Sequence, residues 1–88
     1  MLNKWPREFH LELQQKRRFY KALTGNLQIV HYFKESGIAH ISSIAEPNRV
    51  CETTLDDCSC SDFTKNKRPC KHMYYLDYFL AGNAETEE

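Results

Sequence analysis

The chain has 88 residues and no net formal charge, and 41% of it is hydrophobic, including five Phe, five Tyr and Trp5. A chain this short folds on a modest core with little margin, so a further staple is expected, while the aromatic content argues against wholesale disorder. No stretch approaches the roughly 18 apolar residues of a membrane span, and the charged N-terminus lacks a signal-peptide run; neither a membrane nor a secretory role is expected.

The zero charge is a cancellation. Residues 1–21 sum to +4, 22–62 to −4, 63–72 to +4 and 73–88 to −4. A neutral total with charge segregated into blocks leaves a polyanionic partner open.

In chain order, Pro6 suits a helix first turn, and Phe9, Leu13, Tyr20 and Leu23 then recur on one side at helical spacing. This predicts an amphipathic helix from about Pro6 to Ala22 within an N-terminal unit, residues 1–24. Lys16 interrupts its apolar stripe, and Arg7, His10, Arg17, Arg18 and Lys21 gather opposite, where such a face is usually just solvated. Thr24-Gly25-Asn26 breaks the helix. The β-branched and aromatic stretch that follows, punctuated at Ser36-Gly37 and Pro47-Asn48, predicts a three-stranded antiparallel meander. Its strands are expected at Leu27–Lys34, Ile38–Ala45 and Arg49–Leu55.

After Pro69, the segment Cys70–Ala81 places His72, Met73, Leu76, Phe79 and Leu80 on one face and ends before Gly82, a favoured cap. This predicts a C-terminal helix, with Tyr74 and Tyr78 on its other side. The meander, the cysteine-bearing loop and this helix together span residues 25–81, and 82–88 read as a disordered acidic tail. The fold class is therefore α+β.

Cys58-Ser59-Cys60 sets two thiols two residues apart, and in extended chain such residues point the same way. Cys70-Lys71-His72 adds a second pair at a helix start. Three cysteines and a histidine complete a tetrahedral structural zinc site with no coordination position left for water, which argues for one structural Zn²⁺ and against metal-dependent hydrolysis. Four cysteines would also suit two disulfides in a secreted chain, but Cys58 and Cys60 are poor partners for each other, and a reducing compartment favours metal. Cys51, alternating with Val50 and Glu52 on the third strand, is expected to be a buried or edge thiol outside the site.

The string Cys58-Ser-Cys-Ser-Asp-Phe, a nine-residue gap from Cys60 to Cys70, and Cys70-Lys-His72 leading into an apolar helix resembles the SWIM zinc finger, whose signature is Cys-x-Cys followed by Cys-x-His. The resemblance extends over about residues 38–81 and leaves out the N-terminal helix. Family members commonly carry proline just before the aspartate, where this chain has Ser61. The resemblance implies zinc at Cys58, Cys60, Cys70 and His72, a ββα finger, and a role in binding DNA or protein, as in transposases, chromatin-remodelling helicases, ubiquitin-pathway proteins and recombination factors.

Lys65, Lys67, Arg68 and Lys71 exceed what is needed to offset the roughly −1 charge of three thiolates on Zn²⁺, and with Tyr74 and Tyr78 they are the expected nucleic-acid contacts. A protein adaptor using the aromatic helix faces is the competing expectation. No nucleophile–base pair or paired-carboxylate site is visible, so neither catalysis nor a small-molecule substrate is expected, and the location expected is intracellular, cytoplasmic or nuclear.

Overall fold

The computed structural model describes residue 2 and residues 4–86. The chain opens with a 3-10 turn, Arg7–Leu11, and continues as helix α1, Leu13–Thr24. Strands β1 (Leu27–Phe33), β2 (Ile38–Ser43) and β3 (Cys51–Thr53) follow. A short helix α2 (Ser61–Asn66) and a long helix α3 (Lys71–Thr86) complete it. The three strands form one antiparallel sheet in the order β1-β2-β3, and Leu27 pairs with Ser43 and Phe33 with Ile38 in the first hairpin. The α+β class and the meander are as expected. The third strand is shorter than expected, because the chain from Pro47 to Val50 runs outside the ladder.

Gly37 at φ 74° turns the first hairpin, a conformation that glycine adopts without steric cost, and its N–H donates to the Phe33 carbonyl at 2.8 Å. The sheet lays Leu27, Ala39 and Ile41 against Leu76 of α3, with Ile29, Tyr32, Phe79 and Leu80 around them. A second cluster joins α3 to the N-terminal segment and the loop before it: Leu2, Ala22, Cys58, Phe63, Cys70, Met73 and Tyr74. Helix α3 thus buries two faces, one per cluster. The expected apolar face is present, with Met73 and Leu76 fully enclosed.

Two expectations about the N-terminal helix are corrected. The single helix over Pro6–Ala22 is broken at Glu12, whose ψ of 144° is extended. The break lets the Glu12 carboxylate take an ion pair from Arg68 at 3.3 Å while the Arg68 guanidinium lies 5.2 Å from the Phe9 ring centroid. Nor is the buried side of α1 the apolar stripe: Leu13 and Tyr20 are 64% and 67% exposed, whereas Gln15 and Ala22 are enclosed.

Gln15 tolerates burial because its amide is satisfied. Its Nε2 donates to the Pro69 carbonyl and to the Tyr74 hydroxyl, both at 3.1 Å, and its Oε1 accepts from Arg18 Nη1 at 2.8 Å. With Gln15 donating to it, the Tyr74 hydroxyl is free to donate to His10 Nδ1, 2.6 Å away.

Helix α3 continues past Gly82, where the cap was expected, to Thr86. Glycine inside a helix costs about 1 kcal/mol against alanine but keeps its N–H, so it weakens the ladder without cutting it. The tail expected over 82–88 is therefore helical up to Thr86, and its last two residues lie outside those described.

Candidate metal centre

The ligand loop is built as a hairpin. After β3 the chain turns at Thr54–Asp57, where Thr54 N–H donates to the Asp57 carbonyl at 2.8 Å and Asp57 N–H to Thr54 Oγ1 at 2.9 Å. It returns beside β3 through a Thr53–Cys58 bridge, and Ser59 N–H donates to the Glu52 carbonyl at 2.9 Å. Cys58 and Cys60 therefore sit on extended chain and face the same way. Cys60 also caps α2, its sulfur accepting from Phe63 N–H at 3.5 Å.

Helix α2 was not expected within the gap between the two ligand pairs. Its signals are local: an N-cap at Cys60, Asp62 in the first turn, and Lys67 in the left-handed region at φ 56° as the stop. Its six residues bring the chain back so that buried Pro69 delivers Cys70 and His72 to the first two thiols.

The four donor atoms of Cys58, Cys60, Cys70 and His72 all lie within 4.8 Å of one another. His72 presents Nδ1, at 3.9 Å from Cys58 Sγ and 3.7 Å from Cys70 Sγ. Bonds of about 2.3 Å to sulfur and 2.0–2.1 Å to nitrogen make the S···N edge of a zinc tetrahedron about 3.6 Å. Both S···N distances lie within about 0.3 Å of that edge, and the donor set of three thiols and one imidazole fits the ion. Cys51, half-buried on β3, stays outside the set.

Without metal the three thiols compete for charge. Hydrogen bonds from Cys58 and Cys70 hold the Cys60 thiol far below the ordinary thiol range. The bond to Cys60 in turn pushes Cys58 up to about 11, and the bonds to Cys58 and Cys60 push Cys70 further. One thiolate at a time is what so tight a group supports; a divalent cation permits all three.

Residues 50–76 match the SWIM zinc finger. The match covers under a third of the chain and includes all four ligands, β3, α2 and the first turn of α3. No curated protein and no solved structure matches the chain. Zinc here is structural: four protein ligands close the SWIM site and hold a strand return against a helix start.

Around the finger the structure redistributes the expected contact residues. Tyr78 is 61% exposed, but Tyr74 is 6% exposed and bonded to Gln15 and His10, so it is part of the core and cannot stack on a base. Helix α1 covers that side of α3, which no periodicity within α3 reveals. Lys65 and Lys67 are exposed at the end of α2, with Lys67 Nζ 5.6 Å from the Phe63 ring centroid. Arg68 is committed to Glu12 and Phe9. Lys71 lies apart from these three and lines a groove with Arg17, Lys21 and Arg49.

Phe63 packs edge-on with Trp5 at 6.2 Å between ring centroids and belongs to the cluster that holds Cys58 and Cys70. Asp57 and Asp62 are each engaged away from His72. Asp57 Oδ1 accepts from Cys58 N–H at 2.8 Å, and Asp62 accepts from Arg18 Nε at 2.9 Å and Nη2 at 3.0 Å. That bidentate pair holds the Asp62 carboxyl below the usual carboxylate range.

Proposed function

We propose that this protein is a zinc-stabilised recognition module for nucleic acid. The observation that carries the reading is an imbalance of charge around the finger. Lys65, Lys67 and Lys71 have no carboxylate partner among the described residues, while Asp62 and Glu12 are held by Arg18 and Arg68. Cations presented on a metal-rigidified surface suit phosphate contacts, which give affinity without sequence preference. The closed ligand set favours recognition over catalysis, and thiols that must stay reduced favour an intracellular setting.

The test is a titration of the zinc-loaded chain with single- and double-stranded DNA across a salt series. Log affinity should fall linearly with log salt, and chelation of zinc should abolish binding. Binding absent at low salt would remove nucleic acid as the ligand. A protein partner is the second reading, supported by the exposed Leu13, Tyr20 and Leu23 on α1. It predicts a pull-down that survives high salt and is lost on Leu13→Ser with Leu23→Ser.

A further inference from the structure

Lys21 and Lys71, 50 residues apart in the chain, line one groove. Arg17 and Lys21 reach it from α1, Arg49 from the β2–β3 connection, and Lys71 from the first turn of α3. On α1 the groove-lining positions 14, 17, 18 and 21 follow i, i+3, i+4, i+7, so one solvent-exposed helix face forms a wall of this space. The groove has a volume of about 720 Å³, within the range of ligand clefts.

Its charge is positive after every opposing group is counted. The acids lining it are Asp62 and Glu46; the first is bound by Arg18, and the second pairs with Arg49 at 3.5 Å. Zinc ligands Cys60, Cys70 and His72 also line it, and a loaded site contributes roughly −1. Arg17, Lys21 and Lys71 remain, which leaves about +2 facing the space. The start of the long helix α3 adds its partial positive end at Lys71 and His72.

Shape selects among polyanions. The cations line the walls of a cleft, so only a chain thin enough to enter meets several at once; a duplex displays its phosphates on a convex rod. Among the described residues no Phe, Tyr or Trp lines the groove, so bases gain little by entering. Tyr20, 67% exposed, follows Arg17 by three residues on α1 and offers an uncovered ring on which a base can stack.

We propose that this groove binds a single nucleic-acid strand, its phosphates between Arg17, Lys21 and Lys71 and its bases outward past Tyr20. This rests on the nucleic-acid reading but commits to a surface other than Lys65 and Lys67.

The test compares two charge reversals of equal size in the full, zinc-loaded chain, with zinc stoichiometry and circular dichroism confirming the fold. One is Arg17→Glu with Lys21→Glu; the other is Lys65→Glu with Lys67→Glu. All four side chains are exposed, so neither pair disturbs the core. With a labelled oligothymidylate, the wild type should lose about twentyfold in affinity between 50 and 200 mM salt, from about three phosphate contacts. The α1 variant should bind at least about tenfold more weakly, with a salt slope shallower by about 1.4. The α2 variant should bind nearly as the wild type, and Tyr20→Ala should lose about tenfold.

Wild-type binding that only the α2 variant destroys would overturn the groove and keep the nucleic-acid reading. A duplex bound more tightly than the single strand would overturn the choice of strand. Polyglutamate bound as tightly as oligothymidylate would reassign the groove to acidic protein, and failure of the wild type to bind any DNA at low salt would overturn both proposals.

Discussion

Between α3 and the sheet, Leu27, Ala39, Ile41 and Leu76 form a cluster of buried apolar side chains, and β1 and β2 close the backbone bonds above them. Between α3 and the N-terminal segment the packing is of another kind. Leu2, Phe63 and Met73 share their space with three thiols, and buried Gln15 and Thr53 adjoin it, each held by hydrogen bonds. The first cluster is stabilised by area removed from water, the second by a metal and by satisfied polar groups that area does not stabilise. Small domains need such a staple. Here it is confined to one side of α3, and that side also carries the proposed binding groove.

The largest effect should come from the metal. Zinc binding in finger peptides is worth on the order of 10 kcal/mol, so Cys70→Ser or chelation should melt α2 and the ligand hairpin. Hydrogen exchange should show protection lost there while the β1–β2 amides keep more of theirs. Equal loss in both regions would mean that the two clusters fold as one and would end the distinction. If Cys70→Ser retained one zinc per chain with an unchanged fold, the four-ligand site would be wrong.

Leu76→Ala tests the other side. Removing a fully enclosed leucine should cost about 2–5 kcal/mol in chemical denaturation while zinc stoichiometry stays at one. A drop in zinc affinity equal to the loss of stability would couple the regions more tightly than their packing suggests.

Gln15→Leu should cost about 1–3 kcal/mol, because it strands the Pro69 carbonyl and one Arg18 N–H in a closed space. Thermal unfolding reads it, and a neutral result would show that the space admits water.

The smallest effect belongs to Arg18–Asp62. Asp62 is 39% exposed, so Asp62→Asn should cost under about 1 kcal/mol. The folded carboxyl titrates below its unfolded value, so the contribution is complete above the ordinary carboxylate range and disappears as pH falls through the lowered value. The wild-type and Asp62→Asn stability curves should therefore converge in acid. Curves that stay parallel would show that the pair contributes nothing.

How legible each part was depended on how far apart its residues stand. The ligand set was readable because Cys58 with Cys60 and Cys70 with His72 are each a local pattern with a chemical meaning, and the two pairs are joined by a short gap. The meander was readable from period and turn residues. The inward side of α1 was not, since Gln15 and Arg18 read as surface residues until their partners, Tyr74 and Asp62, are 59 and 44 residues further on. Tyr74 was misplaced for the same reason: a helix that buries two faces has no single polar side.

By itself, then, the amino-acid order determined the meander, the C-terminal helix and the two pairs of zinc ligands, because each depends on residues within a few positions of one another. Only the tertiary structure decided that α1 turns a polar side inward and that Arg68 tethers the N-terminal segment. It alone brought Arg17, Lys21 and Lys71 to one groove. Those outcomes depend on where α1 docks, which is set by hydrogen bonds and ion pairs between distant residues that periodicity cannot register.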